Sequence, residues 1–482
     1  MPKQRNISTP VPHVEVCLET TTPQEILEKE IPQGNQWLLL VVICLGWFMS
    51  ALDTTVVNLA LKNIGEDLQT DITGLQWAVD GYALIFASLL LTAGGLGDRL
   101  GRKRMYLIGL ATFTLSSGLC GLAPTYWMLL SARLLQGGGA ALMVPNILAL
   151  IHTLFPRSEQ RARAVAFWAV IGAVALAVGP VVGGLLVSLL HWRSIFFLNV
   201  PIGIVALLIS LPPHRIPETI RHLDERGLDL TAQVMAVVGL ASLTMVLIEG
   251  GRIGWLSWPI LTCLALFIVT GIIFLICEAR GRSPMLPLHL FAILTFSVGM
   301  IIGAVENFGF YGFIFLLSLF FQDVQHSSAL VAGLAFLPMT GSVIVANALT
   351  GLLTSRIGPR MLMCVGLALG GSGFFSLLLL DAASPYLVAC FGLFAIGMGI
   401  GLTIPPLTMI LLGAVATEHS GVASGVLNAC RQVGGVLGIA LFGSLIQVQS
   451  NFVQGLHLSA LIAGCATWLV CLLAWSLTQR QF

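Results

Sequence analysis

Fourteen runs of about 20 predominantly apolar residues fill most of this 482-residue chain, and they leave it little choice of surroundings. Their approximate limits are 37–60, 75–96, 105–123, 126–152, 164–190, 194–213, 228–249, 255–278, 293–321, 327–352, 361–380, 384–412, 422–446 and 456–478. In hydrocarbon each backbone N–H and C=O must bond within its own segment, so these runs predict membrane-spanning helices. Charged residues are 9% of the chain and hydrophobic residues 57%, against roughly 25% charged in a soluble domain, too little charge to coat a water-exposed surface. A net charge of +1 excludes the electrostatic footprint of a nucleic-acid binder. The ten cysteines are scattered without a C-x-x-C and read as small hydrophobes, not as a metal site or disulfide frame. No cofactor, metal or obligate protein partner is implied.

An even number of spans puts both termini on one side, and basic residues choose the side. Lys62, Arg193 and Arg252 fall on one side, Arg133 and Arg431 lie within spans, and the other 18 of the 23 Lys/Arg residues fall opposite. Both termini are therefore expected in the cytosol. The stretch 1–35, polar and without the short apolar core of a signal peptide, reads as a disordered cytosolic tail in which the Asn6-Ile7-Ser8 sequon is accidental.

Residues 94–104 read as a tight cytosolic turn between 75–96 and 105–123. Gly94, Gly95, Gly97 and Gly101 let the chain fold back, while Asp98, Arg99, Arg102, Lys103 and Arg104 stay at the lipid–water boundary. The run is echoed 257 residues later by Gly351–Arg360, with Ser355 standing where Asp98 stood. Gly139–Pro145 is likewise matched by Gly399–Pro405, 260 residues on. Spans 1–6 thus repeat as spans 9–14, with spans 7 and 8 inserted, and parallel six-span repeats commonly place a substrate path between them. The 94–104 run resembles the signature joining the second and third spans of the major facilitator superfamily. That resemblance implies an all-α polytopic membrane protein of the major facilitator fold. It divides the chain into a six-helix bundle over 36–213, two inserted helices with their flanking loops over 214–290, and a second bundle over 291–482.

A charge at mid-bilayer costs at least ~3 kcal/mol unless it is paired or hydrated, so ionisable residues inside spans are the natural functional suspects. At 1.5 Å per residue, Asp53, Asp80 and Arg133 fall at similar depth in the outer half of the first bundle. Glu306 lies near the middle of span 9 and Arg431 in the inner half of span 13. Each has a plain structural alternative: Asp80 as a span-end carboxylate already in water, Arg133 as a lock on carbonyls, Arg431 as a structural charge. Asp53 and Glu306 are the better proton carriers, because a deep carboxylate is costly as an anion and can hold a proton instead. Phe308, Phe310, Tyr311 and Phe313 follow Glu306 and could offer aromatic faces to a lipophilic cation, or simply pack between helices.

On span 5, Gly179, Pro180, Gly183 and Gly184 give a small-residue face for close helix approach, with Pro180 permitting a bend. Close packing and gating are both open readings. Here the resemblance becomes more specific. Leu52–Leu61 resembles the first-span signature of the fourteen-span drug:proton antiporters, and Gln76–Tyr82 looks like their second-span opening. Leu129–Gly139, with Arg133 and Gln136-Gly137, resembles their proton-linked fourth-span motif. Gly179–Gly184 is similar to their antiporter signature, and His191–Gly203 to their link into span 6. Ser355 and Glu306 depart from the pattern.

The resemblance implies proton-coupled efflux of small amphipathic or cationic compounds across a bacterial cytoplasmic membrane by alternating access. An exporter of the same fold with one narrow physiological substrate is the alternative. Gly137-Gly138-Gly139 lacks the Lys-Ser/Thr ending of a phosphate loop, so direct ATP use is not expected. The loops are too short for the extramembrane domain of an enzyme or sensor. The expected partners are a small-molecule substrate, protons and the lipid bilayer.

Overall fold

A computed structural model describes residues 33–212, 229–281, 286, 288–416, 420–449 and 451–479. The expected tail lies outside the described residues, except that Gln33–Asn35 begin the first helix. The described residues are helical almost throughout. In chain order the helices are α1 (Gln33–Val56), α2 (Leu61–Leu68), α3 (Ile72–Leu100), α4 (Arg102–Leu122), α5 (Tyr126–Leu154) and α6 (Ser158–Leu189). Then follow α7 (Ser194–Phe197), α8 (Asn199–Ser210), α9 (Leu230–Ile253), α10 (Trp258–Arg280), α11 (Leu294–Leu319) and α12 (Ala329–Ala335). The last five are α13 (Leu337–Ile357), α14 (Pro359–Ser376), α15 (Tyr386–Gly413), α16 (Ser420–Val448) and α17 (Phe452–Gln479).

Among the described residues, thirteen helical segments are long and apolar enough to span a bilayer, and each overlaps an expected span. The expected sixth span, 194–213, is the shorter helical stretch Ser194–Ser210. It is divided at Leu198 into α7 and α8. Pro201 accounts for the division, because it has no N–H to donate to the Phe197 carbonyl one turn back.

The reading of 94–104 as a loop is corrected. Gly94 to Leu100 complete the last turns of α3, and α4 starts at Arg102, so Gly101 alone makes the turn. Gly101 has φ 101° and ψ 125°, a conformation that side-chain-bearing residues avoid. Gly358, 257 residues on, has φ 79° and ψ 155° between α13 and α14. The sequence repeat is thus a repeat of backbone geometry. The charges need no loop, since side chains at helix ends reach water while the backbone stays helical.

Two seams join the N-terminal spans to the C-terminal ones. Along one, α3 packs on α16; along the other, α6 packs on α12 and α13. Hydrogen bonds across the seams gather at the end of the molecule away from Gly101. Gln76 Nε2 donates to the carbonyls of Ile439 and Ala440 (3.1 and 2.8 Å), and Gln447 Nε2 donates to Gln76 Oε1 (3.0 Å). Lys62 Nζ donates to the Gln322 carbonyl (3.0 Å), and the Leu330 N–H to Ser188 Oγ (3.1 Å). Helix α9, which the sequence reading takes as inserted, lies against both α3 and α16, with Gln233 Nε2 donating to the Ser88 carbonyl (2.8 Å). Its partner α10 turns Ile268, Val269, Ile272 and Leu275 outward, as a lipid-facing span would.

Candidate functional site

Asp53, on the last turn of α1, points inward among α1, α4, α5 and α8, where it is 1% exposed. Its Oδ2 pairs with Arg133 Nη1. Its Oδ1 accepts from Gln136 Nε2 (3.0 Å) and from Asn199 Nδ2 (3.5 Å). Gln136 and Asn199 also converge on Ser117 Oγ, at 2.8 and 3.4 Å. The network is closed to water: Arg133 is 1% exposed, and Gln136 and Ser117 are 0%.

Arg133 has partners that do not depend on Asp53. Its Nε donates to the Ala78 carbonyl (2.9 Å) and its Nη1 to Gln136 Oε1 (2.8 Å). Its guanidinium carbon lies 4.5 Å from the Tyr82 ring centroid and 5.8 Å from that of Phe196, within cation–π range. The Tyr82 hydroxyl is fixed in turn to Ser50 Oγ at 2.8 Å. A burial this complete is tolerable for a charge only when it is paired and hydrogen-bonded, as here.

Sequence reading found Asp53 and Arg133 and quoted Gln136 and Asn199 only as parts of motifs; it passed over Ser117. An uncharged polar residue in a span carries no signal of its own depth or partner. Only the convergence of four helices reveals Ser117 and Asn199.

Asp80 lies apart from this network. The reading that placed it in water is corrected: Asp80 is 0% exposed, and neither carboxylate oxygen has a hydrogen-bond partner. One helical turn before it, Gln76 carries the seam to α16, and that contact with distant helices closes over this part of α3.

In the C-terminal spans Glu306 is 3% exposed on α11, and its Oε1 lacks a hydrogen-bond partner. Arg431 on α16 lies near enough for the two charges to act on each other. The Arg431 stem crosses the face of Gly303, and its Nε donates to Asn307 Oδ1 at 3.4 Å. The aromatic residues after Glu306 divide by role. Phe313 is wholly buried against Phe374 and Phe442, at 5.1 and 5.4 Å, and Phe310 is 7% exposed, so both pack between helices. Phe308 and Tyr311 are half-buried. Tyr311 lies against Gly435 and close enough to Thr54 of α1 for the two side chains' polar groups to interact. Consecutive residues of α1 thus face two ways, Asp53 into its own bundle and Thr54 across to the C-terminal spans.

At the Gly101 turn, Asp98 Oδ1 accepts from Arg102 Nε and Nη2, both at 2.9 Å. Lys103, 5% exposed, donates to the Pro212 carbonyl at 3.0 Å. Arg99 is half-buried on the last turn of α3. A methyl group at Gly94 would meet only Pro145, at 4.0 Å, so packing does not demand that glycine. The span-5 glycines are different. Gly179 lies against Thr55 and the Leu52 carbonyl, and Gly183 against the Val56 backbone, both on α1. Gly184 meets the backbone of Ala329 on α12, and Gly333 meets the Pro180 carbonyl. The Gly179–Gly184 face is therefore buried between α1 and α12 and does not face lipid.

Thirteen apolar helices around a sealed Asp53–Arg133 pair have the architecture of a polytopic membrane transporter. The chain belongs to the Major Facilitator Superfamily, whose sequence pattern it matches over residues 43–439. It is 37% identical over 454 residues to the methylenomycin A resistance protein of Streptomyces coelicolor, covering 94% of each chain. It is 36% identical over 412 residues to the multidrug resistance protein Stp of Mycobacterium tuberculosis, covering 86% of this chain and 76% of that one. Its fold matches a partially occluded, inward-open structure of the xylose transporter XylE from E. coli. The TM-score is 0.64 at 15% identity, over 92% of this chain and 98% of that one.

Proposed function

We propose that this protein exports small amphipathic compounds across a bacterial cytoplasmic membrane in exchange for protons, by alternating access. Both termini lie in the cytosol, and the Gly101 end is the cytosolic end. The observation that carries the proton half of this reading is the enclosure of Asp53. A carboxylate sealed in a dry bundle changes its charge only by taking up a proton, and everything bonded to it must then rearrange. Arg133 is prepared for that change: when Asp53 is neutral, the guanidinium keeps the Ala78 carbonyl, Gln136 and the Tyr82 ring. Protonation would thus loosen α1 from α5 without leaving a bare cation behind.

The relatives' resistance roles support drug-like cargo. In this reading the bundles 36–213 and 291–482 rock about the two seams, while 214–290 carries α9 and α10 along the α3–α16 seam. Asp80 and Glu306 are further proton-coupling candidates; Asp98 with Arg102 and the Gly101 turn would control the cytosolic closure. Bonds gathered at the Lys62 end are those of a molecule shut toward the outside. Each inward proton supplies about 2.3 kcal/mol per 100 mV of membrane potential.

The test is a compound-panel susceptibility assay in an efflux-deficient host with and without the gene, paired with efflux from inverted vesicles. Raised tolerance that an uncoupler abolishes is expected. Tolerance unchanged across the panel, or efflux indifferent to the uncoupler, would overturn the reading.

A further inference from the structure

We propose that Arg431 binds the acidic group of an exported amphipathic organic acid. The inference rests on the export function above and names the chemical class of cargo. Arg431 lies about 16 Å along α16 from Ser420, deep within the span, yet it is only half-buried. Its one hydrogen bond is the long contact from Nε to Asn307, and no carboxylate among the described residues forms an ion pair with it. Its terminal amino groups make no hydrogen bond to the described residues, and the residue keeps part of its surface open. An open, unsatisfied guanidinium at this depth is a planar two-pronged donor matched to a carboxylate.

The surroundings favour an anion over a cation. The nearby carboxylate, Glu306, is 3% exposed, and its Oε1 is enclosed without a partner. Of the two charges Arg431 is the more exposed, so a ligand entering here meets its guanidinium first. Tyr311 and Phe308, both half-buried on α11, offer aromatic surface for the apolar body of such a ligand. Tyr311 packs on Gly435, one turn along α16 from Arg431, and also comes within reach of Thr54 of α1, the neighbour of Asp53. Cargo held by Arg431 and Tyr311 therefore lies near the contact of the C-terminal spans with α1.

The experiment uses the full chain in nanodiscs and in proteoliposomes with an imposed proton gradient. The probes are 1-naphthaleneacetic acid, its methyl ester and tetraphenylphosphonium. The wild type should bind the acid more tightly than the ester. Arg431→Gln should weaken acid binding by about 10- to 100-fold while leaving the ester within about twofold. Arg431→Lys should keep part of the preference, because it keeps the charge but loses the fork. Glu306→Gln should leave acid binding equal or tighter.

Equal loss of acid and ester in Arg431→Gln would make the residue structural and overturn the proposal. So would a wild type that does not prefer the acid, or tetraphenylphosphonium binding that Glu306→Gln abolishes. Should Arg431→Gln fail to fold, the wild-type preference and the Arg431→Lys and Glu306→Gln arms still decide. Failure of the export reading looks different: the acid binds to the wild type, but a proton gradient drives no probe. Gradient-driven efflux of the ester or the cation, without preference for the acid, sinks this inference alone.

Discussion

The carboxylate of Asp53 and the guanidinium of Arg133 pair between α1 and α5 at 1% exposure each, 80 residues apart in sequence and screened from both faces of the membrane. Such a pair is worth little as net stability, because desolvation offsets most of the attraction. Removing one partner is another matter, costing about 3–5 kcal/mol by stranding the other charge.

Asp53→Asn should therefore lower the thermal midpoint of the purified protein yet leave it folded, since Asn is the same size and keeps an acceptor for Gln136. Proton-driven efflux should fall below detection. The double variant Asp53→Asn with Arg133→Gln should regain part of the lost stability, with a coupling of at least ~1 kcal/mol in a double-mutant cycle, but none of the transport. Proton-coupled efflux in the single variant would move the proton to Asp80 or Glu306.

Asp80 is the second carboxylate to test, because burial has left both its oxygens without a partner. Asp80→Asn places no new charge in the seam, so stability should stay within about 1 kcal/mol of the wild type or rise. If Asp80 takes part in the proton cycle, efflux falls by at least about tenfold, some 1.4 kcal/mol on the barrier. Unchanged efflux in vesicles assigns it to the seam alone.

The spans, the repeat and the pair of deep charges were legible in the sequence because each leaves a one-dimensional trace. Runs of Leu, Ile and Val mark the spans, and Gly101 and Gly358 mark equivalent turns. What was illegible depends on contacts between distant segments. The wet reading of Asp80 followed from its five-residue distance to the expected end of span 2. The dry one follows from Gln76 reaching α16 more than 360 residues away. The turn shrank from eleven residues to Gly101 because glycine and charge at a helix end look the same in sequence as glycine and charge in a loop. Asp53 could be picked out, whereas Ser117 could not, since a hydroxyl in a span is cheap and commonly bonds its own helix.

The ion pair of Asp98 with Arg102 separates stability from function. Asp98 has a side chain 52% exposed, and exposed pairs contribute about 0–1 kcal/mol. Asp98→Asn should thus leave the thermal midpoint and membrane abundance close to wild type. Efflux should nonetheless drop by about tenfold or more if the pair orders the cytosolic closure, equivalent to ~1.4 kcal/mol on the rate-limiting step. Full efflux from the variant would remove the turn from the gating argument.

Gly184 and Gly333 test the second seam, because each meets main chain from the opposite set of spans. A Cβ at Gly184 would run into the Ala329 carbonyl, and one at Gly333 into the Pro180 carbonyl. Backbone cannot step aside as a flexible side chain can, so Gly184→Val should hold α6 away from α12 at the Lys62 end. Each bundle keeps its own core, so the variant should still insert and fold. A cysteine placed at Ser188, which meets the Leu330 N–H across this seam, reports the opening. In the Gly184→Val background a membrane-impermeant maleimide added from outside should label it several-fold faster than in the Ser188→Cys parent, while efflux falls. Gly179→Leu and Gly183→Leu supply the contrast, because those glycines of α6 pack against α1 within the same bundle. Their damage should appear first as a lower thermal midpoint, with overpacking costing about 1–3 kcal/mol, and not as faster labelling. Equal labelling in the Gly184→Val variant and its parent, with efflux intact, would show that this seam does not open and close during transport.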